Sequence, residues 1–482
     1  MNYESAIAQL MALGHELHHT PAHKFDLAHM RVLLSALGNP ERRFASVLIA
    51  GTNGKGSTAA TLESILRAAG HRTGLYTSPH LIRVNERIRV AGDEISDSDF
   101  ARVHARVEQA AQKLVAAGDL PGHPSFFEML TAMAFEHFAA TGVELAVLEV
   151  GMGGRLDATN VVEPRLSVIT DIALDHQKFL GNTITEIARE KAGIIRPGGV
   201  VVTLPQHPEA NDVLGNTILE RHARAVSAVE YVPPVSPGAP LSQKHSEPAA
   251  AGEEALQSPH PSEGHDFSRA EKTPKLRGAL APEGNEGSRY PLEVLGDEII
   301  VASTLPGRHQ LRNTALAIAA AIELNAQGFK VTAEDVERGI RETRWPGRLQ
   351  IIPATQGAPE YLLDAAHNPA GAWALRAALS ERYEGLPFTL VFGAMRDKAI
   401  AEMAEILFPL AEHVIATQPA NPRAATPEEI RAAAARAGAE VLAEPEVAAA
   451  LTRARALAGE RGIVVVCGSI YLIGEVLGLL SS

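Results

Sequence analysis

Val47-Leu48-Ile49-Ala50-Gly51-Thr52-Asn53-Gly54-Lys55-Gly56-Ser57-Thr58 passes from an apolar, β-rich run through a glycine-rich loop into a helical pattern that continues to Ala69. Strand, loop and helix in that order are the setting a phosphate-binding loop requires. Glycines let backbone N–H groups converge on an anion, and the helix N-terminus adds partial positive charge. Lys55 adds a full charge, and a Ser or Thr hydroxyl can ligate Mg²⁺. The strict Walker A spacing is not met. Counting back from Gly54-Lys55, the first glycine would fall at Ile49, Gly56 takes the place of the Ser or Thr, and the hydroxyl arrives one residue late, at Ser57. An ordinary glycine-rich turn accounts poorly for a strand, a lysine and a hydroxyl in this order.

Outward from the loop, short apolar runs alternate with longer helical patterns, the signature of a parallel α/β sheet. Strands are expected at Val47–Ala50, Leu145–Val150, Leu166–Thr170, Val200–Leu204, Tyr361–Leu363, Thr389–Phe392, His413–Ala416 and Ile463–Cys467. Helices are expected at Ser57–Ala69, Phe126–Ala140, Thr314–Ala326 and Pro427–Ala437. No internal repeat is present. Glu149 closes an otherwise apolar strand, where an acid needs a partner or a metal. The following Gly151-Met152-Gly153-Gly154 is not a dinucleotide fingerprint, because the third glycine would fall at Leu156. Asp171, Asp175 and His176 follow the next strand, in the region where active-site loops of open α/β sheets lie. Beside Glu149 and Ser57, His176 reads as a second metal ligand. Lys191, in Glu190-Lys191-Ala192-Gly193-Ile194, would by spacing alone be a surface charge.

The chain has 482 residues, enough for two or three domains, with 46% hydrophobic and 21% charged residues. That is the balance of a globular chain with ample core. Acidic residues outnumber basic ones, 57 to 44, for a net charge of -13. Such a chain has no broad footprint for nucleic acid or anionic membranes, so any phosphate must be bound locally. The one cysteine, Cys467, excludes an internal disulfide and zinc-ribbon or thioredoxin-like sites. It reads as a core residue of a cytoplasmic protein. No apolar run is long enough to span a bilayer, and the N-terminus reads as an amphipathic helix carrying Ile7, Leu10, Met11 and Leu17, not as a signal peptide. His15, His18, His19 and His23 have helical spacing but no acid or cysteine among them, and read as a solvated face. From about Pro233 to Ser288 the chain is rich in Pro, Ser, Gly, Glu and Ala, lacks isoleucine and has Phe267 as its sole aromatic. It reads as a disordered or loosely packed insertion. A domain joint is expected near Trp345-Pro346-Gly347-Arg348, dividing the chain into 1–345 and 346–482.

Taken together, these motifs resemble a known family. GTNGKGST, TSPHLIRVNERIRV (Thr77–Val90), SFFEMLTAMAF (Ser125–Phe135), LEVGMGGRLDATN (Leu148–Asn160), LDHQKFLG (Leu174–Gly181) and EKAGI (Glu190–Ile194) are similar to folylpolyglutamate synthases. So are LPGRHQLRN (Leu305–Asn313), WPGRLQ (Trp345–Gln350), LDAAHNPAG (Leu363–Gly371), VFGAMRDK (Val391–Lys398) and VVVCGSIYLIGEV (Val464–Val476). The family belongs to the Mur ligases and includes the bacterial bifunctional dihydrofolate synthases. The resemblance covers nearly the whole chain outside the insertion.

The resemblance implies an N-terminal P-loop ATPase-like Mur-ligase central domain with a parallel sheet and a smaller C-terminal Rossmann-like α/β domain. It implies that Thr52, Asn53, Gly54, Lys55, Gly56, Ser57 and Thr58 bind ATP, with Asn313, Arg348 and Asp364 contacting the nucleotide. Ser57 and Glu149 would ligate a first Mg²⁺; His176, and Lys191 as a carbamate, would serve a second. Lys55, His176 and Lys191 become the catalytic candidates. Ser78, Pro79, His80 and Arg87, with Phe126, Phe127 and Glu128, match segments on the folate side, as do Asn85 and Glu86. The implied reaction joins L-glutamate to dihydropteroate or to reduced folates at the expense of ATP, by a monomeric enzyme. Two rivals stand beside it. A cell-wall Mur ligase would share the loop, Glu149 and Lys191, but the loop near residue 51 leaves no room ahead for the usual sugar-nucleotide domain. A nucleotide switch would not need the full set Ser57, Glu149, His176 and Lys191.

Overall fold

The computed structural model describes residues 2–14, 27–234, 288–355 and 357–481. The group His15, His18, His19 and His23, Leu17, and all but the margins of 233–288 lie outside the described residues. Strands β1 (Ala45–Ala50), β2 (Thr73–Tyr76), β3 (Ile88–Val90), β4 (Asp93–Glu94), β5 (Leu145–Glu149), β6 (Leu166–Ile169), β7 (Val200–Thr203) and β8 (Arg224–Ser227) form one sheet. Its order is β4-β3-β2-β5-β1-β6-β7-β8, parallel from β2 to β8 and antiparallel at β2-β3-β4. A hairpin of β9 (Arg289–Val294) and β10 (Asp297–Ala302) follows. The second sheet contains β11 (Gln350–Ile352), β12 (Glu360–Leu363), β13 (Thr389–Phe392), β14 (His413–Ala416), β15 (Val441–Ala443) and β16 (Ile463–Cys467). Its order is β11-β12-β16-β13-β14-β15, with β11 antiparallel and the rest parallel.

The central strands are near-continuous apolar runs because helices cover both faces of a parallel sheet. Alternate residues of β1 serve the two sides. Leu48 and Ala50 pack with Leu148, Phe135 and Phe138, whereas Val47 and Ile49 pack with Val147, Val168, Ile65 and Leu316. Cys467 lies fully buried at the end of β16. The N-terminal helix Tyr3–Ala12 buries Ala6 and Leu10, with Ile7 and Met11 packed beside them. Helix Pro427–Ala433 is shorter than its pattern suggested; the chain turns through Ala434 and Ala437 into Gly438, which has φ of 69°. No helix among the described residues is long and apolar enough to cross a membrane.

Two connections fix the relation of helix to sheet. Helix Lys55–Ala68 leaves β1 directly and packs against helices Arg308–Ala326 and Ala333–Glu342. The second contact is close because Gly339 has no side chain: a Cβ there would lie 2.3 Å from Ile65 Cα. Ser64 Oγ also donates to the Gly339 carbonyl at 2.7 Å. Alanine is the better helix former by about 1 kcal/mol, but overpacking against backbone costs about 1–3 kcal/mol. Gly339→Ala is therefore expected to lower the midpoint of thermal unfolding, and an unchanged or raised midpoint would show that the helices can separate freely.

Candidate active site

The carboxyl ends of β1, β5 and β6 in the first sheet and of β12, β13 and β16 in the second open onto one cavity of about 1690 Å³. That is where open α/β sheets place their ligands. The glycine-rich loop forms one wall. Gly54 adopts φ of 87°, and a Cβ on it would meet the Asn313 side-chain oxygen at 2.1 Å. Both the backbone conformation and the close approach require glycine. Thr52 fastens the loop to the segment after β6: its N–H donates to the Asp171 carbonyl at 2.7 Å, and its hydroxyl bonds Ala173. Lys55 Nζ donates to the Thr52 carbonyl at 3.1 Å. The absence of a side chain at Gly56 is explained by Trp345, whose indole would lie 3.0 Å from a Cβ at that position. The joint residue thus occupies the space of the Walker A hydroxyl. Thr58 is buried and donates to the Asn313 carbonyl, so it supports the loop from behind and does not line the cavity.

Glu149 pairs in register with Ile49, which places it beside the start of the loop. It is buried, and one of its oxygens accepts the Ser78 N–H at 3.2 Å. Burial pushes its carboxyl above the ordinary range, against the charge of Lys55. Lys191 is brought in from helix Ile184–Ala192 and donates from Nζ to the Gly51 carbonyl at 2.7 Å. The Gly153-Gly154 turn makes this approach possible: a Cβ at Gly154 would lie 2.8 Å from the Glu190 carbonyl. Burial, then the neighbouring Lys55, lowers the Lys191 ammonium to about 7. His176 sits in the left-handed region at φ 49°, a strained setting for a side chain of its size. Its Nδ1 is buried and has no partner among the described residues. Burial and then Lys398 lower its imidazole to about 3, so it is neutral at physiological pH.

The second sheet supplies the facing wall. Asp364, just past β12, accepts the N–H groups of Leu349 at 2.8 Å and Ala366 at 2.9 Å. Arg348 lies between Asp364 and Glu149, and burial lowers its guanidinium against both charges. Several residues at or beside the cavity lie within the quoted motifs but are not singled out there as site residues. Lys398 Nζ lies 2.6 Å from Asp175 Oδ1, and Arg312 pairs with Asp171 at 2.7 Å. Asp157 is buried behind Met152 and Thr159, whose donors occupy its carboxylate. The general rule that sites gather beyond strand ends would have pointed to Lys398 after β13 and Asp157 after β5, but not to Arg312, which lies within helix Arg308–Ala326.

On the apolar side, Ser78, Pro79, Phe126, Phe127 and Glu128 line the cavity together with Met30 and Leu33. His80 and Arg87 do not. Arg87 is buried under the Phe126 ring, 5.3 Å from its centroid, and donates from Nε to His80 Nδ1 at 2.8 Å. These two residues stand behind the lining, on the same side of the cavity as Phe126. Asn85 bonds Tyr3 and the Ile95 carbonyl, Glu86 caps the turn at Leu81–Arg83, and Glu128 also caps its own helix through Ser125. Among the described residues no group of three or more His, Cys, Asp or Glu side chains could hold a metal ion.

Residues 49–218 match the model of the Mur ligase middle domain, and residues 347–470 match that of the Mur ligase glutamate ligase domain. The chain is 34% identical over 456 residues to the dihydrofolate synthase/folylpolyglutamate synthase of Bacillus subtilis, covering 94% of each. Its structure aligns with that of Mycobacterium tuberculosis folylpolyglutamate synthase complexed with ADP and AMPPCP, with a TM-score of 0.80, 30% identity and 99% of both chains covered. It also aligns with Escherichia coli FolC in complex with DHPP and ADP, with a TM-score of 0.76, 27% identity, and 100% and 98% of the chains covered.

Proposed function

The chain belongs to the dihydrofolate synthase/folylpolyglutamate synthase family of Mur ligases, and from that premise we propose an ATP-dependent ligase that adds L-glutamate to reduced folates and to dihydropteroate. The observation that carries this reading is the shared cavity. A phosphate loop, an aromatic wall and cationic side chains of the second sheet all face the same space. ATP phosphates fit the amides of Thr52–Ser57 and Lys55, with Asn313, Arg348 and Asp364 on the nucleoside side. The apolar wall with Phe126 and Phe127 suits an aromatic folate. Arg423, whose Nε is buried without a partner among the described residues, suits an amino-acid carboxylate together with Ser469.

In the reaction, a carboxylate oxygen of the folate precursor bonds to the γ-phosphorus while the bond to ADP breaks. The amine of glutamate then attacks the acyl carbon, loses a proton, and phosphate departs. Lys55 and the loop amides stabilise charge on the transferring group, and the facing halves hold three reactants in line. The donor set fits magnesium. Mg²⁺ takes one or two protein ligands and fills the rest with phosphate and water, so a three-ligand protein cluster is not required. Ser57 and Glu149 would hold one ion; His176, neutral with an open nitrogen, and Lys191 as a carbamate would hold another. When bound, the ions supply Lewis-acid screening between two anionic reactants.

The test is ADP release from Mg-ATP and L-glutamate, with dihydropteroate and a tetrahydrofolate offered separately. Release with both substrates establishes two activities, and release with one assigns the protein to that step. No glutamate-dependent release with either removes the folate reading.

A further inference from the structure

The two halves meet on one buried carboxylate. Asp175 follows β6, and its side chain is 8% exposed. Oδ1 accepts Lys398 Nζ at 2.6 Å and the His176 N–H at 2.8 Å. Oδ2 accepts Asn368 Nδ2 at 3.3 Å and lies 3.5 Å from His367 Nε2. His367 and Asn368 come from the loop after β12 and Lys398 from the segment after β13, so two separate loops of the second half converge on one acid of the first. Asn368 is locked further by a reciprocal amide pair with Asn53 of the phosphate loop, at 2.9 and 3.3 Å.

A carboxylate has about four lone-pair sites. Lys398, the His176 N–H and Asn368 fill three of them and His367 Nε2 stands over the fourth, which leaves Asp175 little capacity for a metal or a substrate. Lys398 is itself only 8% exposed in its side chain, and a buried ammonium persists only when paired. Asp175 is therefore suited to holding other groups in place.

We propose that Asp175 is a positioning residue for the ligase reaction, the acceptor that docks the loops after β12 and β13 against the phosphate loop and aims Lys398 and His367 into the cleft. It rests on the ligase reading above. An ion pair that only stabilised the fold would leave the cleft geometry, and hence turnover, intact.

Asp175→Asn keeps the shape and removes the charge; Lys398→Met removes the partner from the other half. Each is expected to lower kcat on the order of 100-fold, the scale of a misplaced catalytic group, with KM for ATP within about threefold of wild type. The double variant should match the slower single variant, because both remove one contact. Small-angle X-ray scattering should give wild-type protein the radius of gyration of the docked halves and each variant a larger one, because the contacts at Asp175 are already made in the structure. Wild-type-like kcat in either single variant, multiplying losses in the double, or an unchanged radius of gyration in either variant overturns the proposal. If Asp175→Asn fails to fold, Lys398→Met carries the same two readouts. If wild-type protein shows no folate-dependent turnover, the ligase reading fails while the scattering arm still judges Asp175.

Discussion

Lys55→Ala is expected to lower ATP-dependent turnover by about 10³-fold or more while leaving the fold intact or slightly more stable. The two signs follow from where the residue sits. Lys55 is the first residue of helix Lys55–Ala68, at the positive end of the helix dipole. A cation there is opposed by the free backbone N–H groups, so removing it relieves about 0.3–1 kcal/mol of repulsion. The Thr52 carbonyl, at 3.1 Å, and the buried Glu149 carboxylate offset part of that cost. Lys55 also stands close enough to Lys191 to depress its ammonium. A position so unfavourable for stability is favourable for an incoming polyphosphate, where the lysine, helix terminus and loop amides act in one direction. Measured ADP release and thermal unfolding on the same preparation give the answer. Turnover near wild type would remove the phosphate-loop assignment. Lost turnover with a sharply lowered midpoint would instead mean that Lys55 holds the loop together.

Much of this architecture is legible in the sequence for a physical reason. β1, β5, β6, β13 and β16 are buried on both faces, so they read as near-continuous apolar runs. The strands missed are those without that burial or without that composition. β8 is largely exposed at the sheet edge, and β2 is the short Thr73-Gly74-Leu75-Tyr76. In β2 a glycine is needed because the Phe138 ring lies 3.1 Å from where its Cβ would be. The site divides in the same way. Lys55 and Ser57 carry a local pattern that names their chemistry. Lys191 does not; only a resemblance across the chain singled it out, and the contact to Gly51 shows how helix Ile184–Ala192 reaches the loop. The Asp175–Lys398 pair joins residues on two different sheets, and no local spacing encodes it. Gly56 looked like a departure from the Walker pattern until Trp345 was found over it, a contact between loop and joint that spans most of the N-terminal half.

Lys191→Ala is expected to abolish turnover to a degree comparable with Lys55→Ala, and short carboxylates such as acetate should restore part of it. A buried ammonium hydrogen-bonded to Gly51 cannot be a cation ligand. It can become one by losing a proton to give the amine, whose nitrogen then bonds to the CO2 carbon and releases a second proton, leaving a carbamate anion. The structure favours the first step: burial and Lys55 bring the Lys191 ammonium down to about 7, far below a solvated lysine. The neutral amine therefore predominates above that pH and falls roughly tenfold for each unit below it. Wild-type protein held in CO2-free buffer should lose activity and regain it on adding bicarbonate, with faster recovery at pH 8 than at pH 6. Because the carbamate is acid-labile, the reactivation rate is a better readout than mass spectrometry of denatured protein. Lys55→Ala should slow uptake of ¹³C-labelled CO2 at Lys191 at pH 7, followed by NMR, since removing the neighbouring charge raises the Lys191 ammonium and leaves less free amine. Turnover indifferent to CO2, together with a Lys191→Ala variant that acetate does not rescue, would leave Lys191 as a cation serving Gly51 and the phosphate loop alone.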